Sequence, residues 1–150
     1  MKTIVSASSS DTFDIGKRFS AYLVPGSVVV LTGELGAGKT TFTQGIAAGL
    51  EIEKHITSPT FVIAKNYPTK SGTVLIHIDA YRLQGIEDLA DLDLESHIDT
   101  AIVIAEWGEG LFETLGKVIH VKISIDSEHT RTLTFTSGDF GVESMNLCKY

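Results

Sequence analysis

Cysteine is nearly absent from this chain: among 150 residues there is one, Cys148, alongside only three prolines. A lone cysteine closes no internal disulfide, so a small disulfide-stapled scaffold is excluded. Long hydrophobic runs are missing as well. The longest unbroken apolar stretches, residues 28–31 and 101–105, fall far short of the roughly 18 residues of a membrane span. Residues 1–10 lack the apolar core of a signal peptide. Basic clusters are also wanting, because 12 Lys and Arg stand against 19 Asp and Glu, a net charge of −7. Tight, unaided binding to a nucleic-acid backbone wants a basic face. These absences favour a cytoplasmic protein in a reducing compartment with no membrane partner. Any service to nucleic acid is expected to run through a partner.

What remains is an ordinary globular composition, 43% hydrophobic and 21% charged, which suits one domain over residues 1–150 with a core of its own. No internal repeat, low-complexity tract or linker interrupts it. Residues 3–7 alternate weakly, as an edge strand does. Ser8, Ser9, Ser10 and Asp11 offer N-cap residues. A helical stripe of Phe13, Ile15, Phe19 and Leu23 follows and ends at Pro25-Gly26. Residues 28–32 (VVVLT) read as a buried strand. Residues 40–50 have helical composition. Strands are expected over 60–67 and 73–79, helix in pieces over 85–97, and an apolar strand over 101–106. Residues 118–126 and 130–137 alternate in the strand period around a turn at 127–129. The pattern predicts an α/β domain with a mixed sheet.

The strongest local signal is residues 33–40, GELGAGKT, which fit G-x-x-x-x-G-K-[ST] at every fixed position. The run lies after a predicted strand and before a predicted helix. Glycines reach backbone conformations closed to other residues, so successive N–H groups can turn inward around a phosphate. The free amides and dipole of the following helix add to the cradle. Glu34, Leu35, Gly36, Ala37 and Gly38 form its backbone. Lys39 is expected to reach the β- and γ-phosphates, and Thr40 to ligate Mg²⁺. Thr41 supplies a further hydroxyl or amide near the α-phosphate. This pattern is a nucleotide site.

A P-loop protein needs further acid to hold the water shell of its metal, and ligands in such sheets sit beyond the carboxyl ends of the strands. Two predicted strands end in an acid: 74–78 leads into Asp79, and 101–105 into Glu106. Either suits the metal shell, leaving the other to orient the attacking water; a surface carboxylate closing a strand is the plain alternative for each. ATP and GTP are not distinguished by these residues, although the lack of an N-K-x-D sequence speaks against a GTPase. His77 reads as a structural histidine within an apolar strand, and His55, His97, His120 and His129 have no metal-ligand spacing. Strand alternation points Trp107 away from Glu106. Core packing is the default for it, and an aromatic platform for a partner or loop the alternative.

Four blocks in order, residues 33–41 (GELGAGKTT), 58–61 (SPTF), 77–83 (HIDAYRL) and 106–107 (EW), make the sequence resemble the TsaE family of small bacterial P-loop ATPases over about residues 8–135. The P-loop alone is widespread; the other blocks at these intervals are specific. The resemblance implies a P-loop NTPase-like mixed sheet flanked by helices, with added antiparallel strands. It implies binding of ATP and Mg²⁺, slow hydrolysis in isolation, and action with two partner proteins, TsaB and TsaD. That assembly transfers a threonylcarbamoyl group to an adenosine beside the anticodon of tRNA, and this subunit allows turnover without being the transferase.

By the same resemblance Lys39, Asp79 and Glu106 are catalytic, and Thr40 and Glu106 lie at the metal. Ser58, Thr60, Tyr81, Arg82 and Trp107 couple the nucleotide state to partners. Arg131 lies near the bound nucleotide, Ser9 approaches the base, and Glu34 stands where many members carry Asp. A small-molecule kinase is the competing reading, although no Arg-rich lid segment is evident; a nucleotide-binding adaptor that never hydrolyses is a third.

Overall fold

Short runs of β-branched residues make the centre of the sheet. In the computed structural model, β2 (Val28–Thr32) and β5 (Ala101–Glu106) are almost wholly buried. Such near-continuous apolar strands are what a sheet covered on both faces requires. The structure describes residues 1–59, 63–83, 86–115, 117–138 and 141–148, apart from the side chains of Arg82, Ile86, Leu89 and Thr114.

The remaining strands are β1 (Lys2–Ser6), β3 (Ala64–Pro68), β4 (Val74–Asp79), β6 (Val118–Ile125) and β7 (Arg131–Thr136). They join in one seven-stranded sheet of order β1-β7-β6-β2-β5-β4-β3. The pairs β4–β5, β5–β2 and β2–β6 are parallel, while β6–β7, β7–β1 and β3–β4 are antiparallel. Strands β1, β6, β2, β5 and β4 therefore all run in one direction. Their carboxyl ends share one edge of the sheet, and the segments after them gather there.

Alternation within the strands sorts side chains between two apolar layers. Val29, Leu31, Leu75, Ile102 and Ile104 face the layer that holds α1 (Ser9–Phe19) and α2 (Lys39–Gly49). Both long helices thus share one face. Phe19, Phe42 and Phe135 meet there with ring centroids 5.2–6.1 Å apart. The helices cross at two glycines: a Cβ at Gly16 would collide with the Phe42 carbonyl, and one at Gly45 with the Phe13 carbonyl. A serine opens α1, with Ser8 Oγ accepting from the Asp11 amide at 3.1 Å.

The opposite face, built on Val28, Val30, Ile76, Ile78 and Val103, is covered by Leu94, Ile98 and Phe112. These belong to a mostly irregular stretch. Helix was expected in pieces over 85–97, and α3 (Ile86–Asp91) is one such piece, six residues long, with turns after it. The acids there sit on an exposed segment whose burial rests on a few leucines and isoleucines. The first residues expected in the third strand, 60–62, lie outside the described residues; from Ala64 onward the strand is present. The last described segment, 141–148, returns to the helical layer, where Val142, Met145 and Leu147 are buried and Arg18 Nε donates to the Leu147 carbonyl at 2.8 Å. Among the described residues no helix is long and apolar enough to cross a membrane.

Candidate nucleotide site

The cradle forms where β2 gives way to α2. Residue 38 is the N-cap of α2 and has φ +105°, a left-handed conformation in which a Cβ is strained, so glycine is needed there. No side chain caps this helix. In contrast to α1, the amides of its first turn are left for something else, and an anion is their natural partner.

A cleft of about 670 Å³ lies over this loop. Its floor is Leu35, Gly36, Ala37, Gly38, Lys39, Thr40 and Thr41. Asp79 and Glu106 close one side, facing each other in register at the ends of β4 and β5. Both lie on the helical face of the sheet, because they continue the alternation of Leu75 and His77 and of Ile102 and Ile104. The cleft thus brings together the lysine, the threonine and both acids. Ser58 and Trp107 line it too, as does Ser9.

Beside the expected Ser9 and Arg131, the cleft is lined by residues that were not anticipated. Ala7, Ser8 and Thr12 follow β1, and Glu128 and His129 form the β6–β7 turn. Only the strand order places them here. Sequence alone marks residues 127–129 as a hairpin turn, with nothing to say which end of the sheet it occupies.

Lys39 is 8% exposed, and its Nζ donates to the carbonyls of Gly33 at 2.7 Å and Glu34 at 3.1 Å. The loop therefore holds its own lysine. The Glu34 side chain is exposed and outside the cleft lining; its backbone oxygen is what meets Lys39. Arg131 ties the loop to the β6–β7 turn. Its Nε donates to the Ala37 carbonyl at 3.2 Å, and Nη1 to the carbonyls of Ser127 at 2.8 Å and Thr130 at 2.9 Å. The guanidinium lines the cleft while bracing its floor.

Trp107 corrects the default reading. Core packing was the expectation, yet the residue is 41% exposed and its ring lies 4.7 Å from Lys39 Nζ. The reason is backbone conformation: φ at Trp107 is +60°, so strand alternation stops at Glu106 and the ring swings back over the loop. Its amide still donates to the Leu31 carbonyl at 3.1 Å, fixing the turn. Tyr81, 78% exposed, meets the Trp107 ring edge-on with centroids 6.1 Å apart. Asp79 Oδ1 accepts from the Tyr81 amide at 3.1 Å and so caps the turn that carries Tyr81. Thr60 lies outside the described residues, as does the side chain of Arg82.

His77 is fully buried, and its Nε2 lies 2.9 Å from Glu106 Oε1. The sequence suggested a structural histidine here; its Nε2 has an acid as partner, and that acid is a lining residue of the cleft. The donor set, one hydroxyl and two carboxylates at the mouth of an amide cradle, is oxygen chemistry of the kind Mg²⁺ takes. Among the described residues no three His, Cys, Asp or Glu side chains are grouped to hold a metal by themselves.

Comparison with known proteins agrees with this geometry. A family model described as "Threonylcarbamoyl adenosine biosynthesis protein TsaE" matches residues 6–133. The chain belongs to the TsaE family. Relatives named "tRNA threonylcarbamoyladenosine biosynthesis protein TsaE" include one from Streptomyces coelicolor, 46% identical over 104 residues, covering 68% of this chain and 70% of the relative. One from Mycobacterium bovis is 41% identical over 138 residues, with 85% and 82% covered. The crystal structure of YdiB from Bacillus subtilis superposes with a TM-score of 0.69 at 32% identity, covering 91% of this chain and 84% of that one. The mixed α/β sheet with its P-loop is thus the fold of this TsaE-family protein.

Proposed function

We propose that this protein is an ATP-binding and ATP-hydrolysing subunit serving threonylcarbamoyladenosine formation in tRNA, with TsaB and TsaD as its partners. The observation that carries the reading is the convergence of Lys39, Thr40, Asp79 and Glu106 on one cleft at the carboxyl edge of the sheet. The names of its relatives supply the pathway.

In this reading the amides at the start of α2 receive the β-phosphate, and Lys39 exchanges the Gly33 and Glu34 carbonyls for phosphate oxygens. Thr40 and Glu106 would hold Mg²⁺, whose charge screens the phosphates when it is bound. Asp79 keeps Oδ1 on the Tyr81 amide and offers Oδ2 to orient the attacking water. Water adds to the γ-phosphorus as the bond to the β–γ bridging oxygen breaks, and phosphate leaves. Because Asp79 also caps the turn bearing Tyr81, and Tyr81 touches Trp107, loss of the γ-phosphate is felt at an exposed aromatic pair on the rim. Partners read that pair, together with Ser58, Thr60 and Arg82. Slow turnover alone follows if partner binding completes the arrangement around Asp79.

The test is phosphate release from ATP with and without the two partner proteins, alongside a panel of small phosphoryl acceptors. Partner-stimulated phosphate release is the expected result. A phosphorylated metabolite in place of free phosphate would make the protein a kinase.

A further inference from the structure

We propose that His77 is a positioning residue for Glu106, presenting one defined carboxylate oxygen to the metal side of the cleft. The inference rests on the reading of that cleft as a Mg²⁺-nucleotide site and adds a residue to it.

The geometry starts from strand register. β4 and β5 are parallel, with His77 opposite Ile104 and Asp79 opposite Glu106. His77 therefore lies one pleat repeat before Glu106, diagonally across the strands on the same face, within reach of a long side chain. It is 0% exposed, while the Glu106 side chain is 7% exposed and lines the cleft. Their 2.9 Å contact is the hydrogen bond that the Glu106 carboxylate makes among the described residues.

Chemistry fixes which atoms do what. Nδ1 of His77 is buried with no hydrogen-bond partner among the described residues. Were Nδ1 to carry the proton, a buried N–H would go unpaired and the Nε2 lone pair would face a carboxylate lone pair. With the proton on Nε2, one bond is made and only an acceptor lone pair is left over. Nε2 is thus the nitrogen that carries a proton toward Glu106 and donates to Oε1. That bond engages Oε1 and ties the Glu106 side chain to a fully buried ring. Oε2 accepts no hydrogen bond among the described residues, and in the proposal it is the oxygen presented to the cleft. Outer partners of this kind orient metal-side ligands, and their removal commonly weakens metal affinity about 10- to 100-fold.

Packing alone would also explain a buried histidine, so the test separates the two. Calorimetry measures the affinity of a nonhydrolysable ATP analogue with and without Mg²⁺, and the ratio is the readout. In the parent protein Mg²⁺ strengthens binding, and Glu106→Gln loses that gain. His77→Leu fills the space without the donor and is expected to cut the gain by about tenfold. His77→Gln, whose amide nitrogen reaches the place of Nε2, is expected to restore most of it. Long-range ¹⁵N correlation on the parent protein reports the tautomer without any variant, and Nε2–H is expected.

A His77→Leu protein that is destabilised but keeps the full Mg²⁺ gain overturns the proposal and leaves the nucleotide reading standing. An Nδ1–H tautomer also overturns it. A parent protein that binds the analogue with no Mg²⁺ effect removes the metal reading and this inference together.

Discussion

Lys39 is held by two loop carbonyls and covered by the Trp107 ring. Binding a phosphate therefore exchanges contacts and does not simply add them. Hydrogen bonds between charged groups contribute about 1.5–3 kcal/mol, so Lys39→Ala is expected to weaken ATP-analogue binding about 10- to 100-fold by calorimetry. The sequence holds one tryptophan, and that one sits over the lysine. Its fluorescence should change as the analogue is added; a flat titration at saturating nucleotide would mean Lys39 never leaves the ring. Asp79→Ala is expected to lower partner-stimulated phosphate release by about a hundredfold, the scale of a lost proton-accepting group, with a much smaller loss of analogue affinity. The lysine, the threonine and the two acids were legible as residues because each follows a strand in a recognisable pattern. The position of Trp107 was not legible: a left-handed backbone at a bulky residue has no periodic signature, and alternation pointed the ring the wrong way.

Elements carry the site through direction more than through length. Five strands running one way bring the residue-7 turn, the P-loop, Asp79, Glu106 and the 127–129 turn to a single edge. Apolar runs and alternation revealed β2, β5, β6 and β7 nearly to the residue, since hydrophobic period reports which face a side chain takes. Strand neighbours were not readable. Pairing of β1 with β7, and of β6 with β2, is decided by long-range packing that no local pattern encodes. In the 85–97 segment, expected to be helical in pieces, one short helix forms, and turns after it bury Leu94 and Ile98. The α1–α2 crossing rests on close approach at Gly16 and Gly45. Gly45→Ala forces a methyl group against the backbone of Phe13 and is expected to cost about 2 kcal/mol. For a chain of this size that lowers the melting temperature by roughly 4–8 °C. An unchanged melting temperature would show that the helices separate without penalty.

At the scale of the whole molecule, charge decides what the protein touches. A net charge of −7 repels a polyanion at long range. The isolated protein should therefore show no saturable tRNA binding below about 10 µM at physiological salt, measured by filter retention. Tight binding by the protein alone would place tRNA contacts here and not in the partners. The Tyr81–Trp107 pair is exposed, and Trp107 also lines the cleft and covers Lys39.

The most direct test of the central claim is a calorimetric titration of a nonhydrolysable ATP analogue with Mg²⁺ into the folded protein, run beside Lys39→Ala. The account predicts saturable one-to-one binding in the parent and a severe loss in the variant. No saturable heat from the parent, even with the partner proteins present, or equal binding by both proteins, would contradict it.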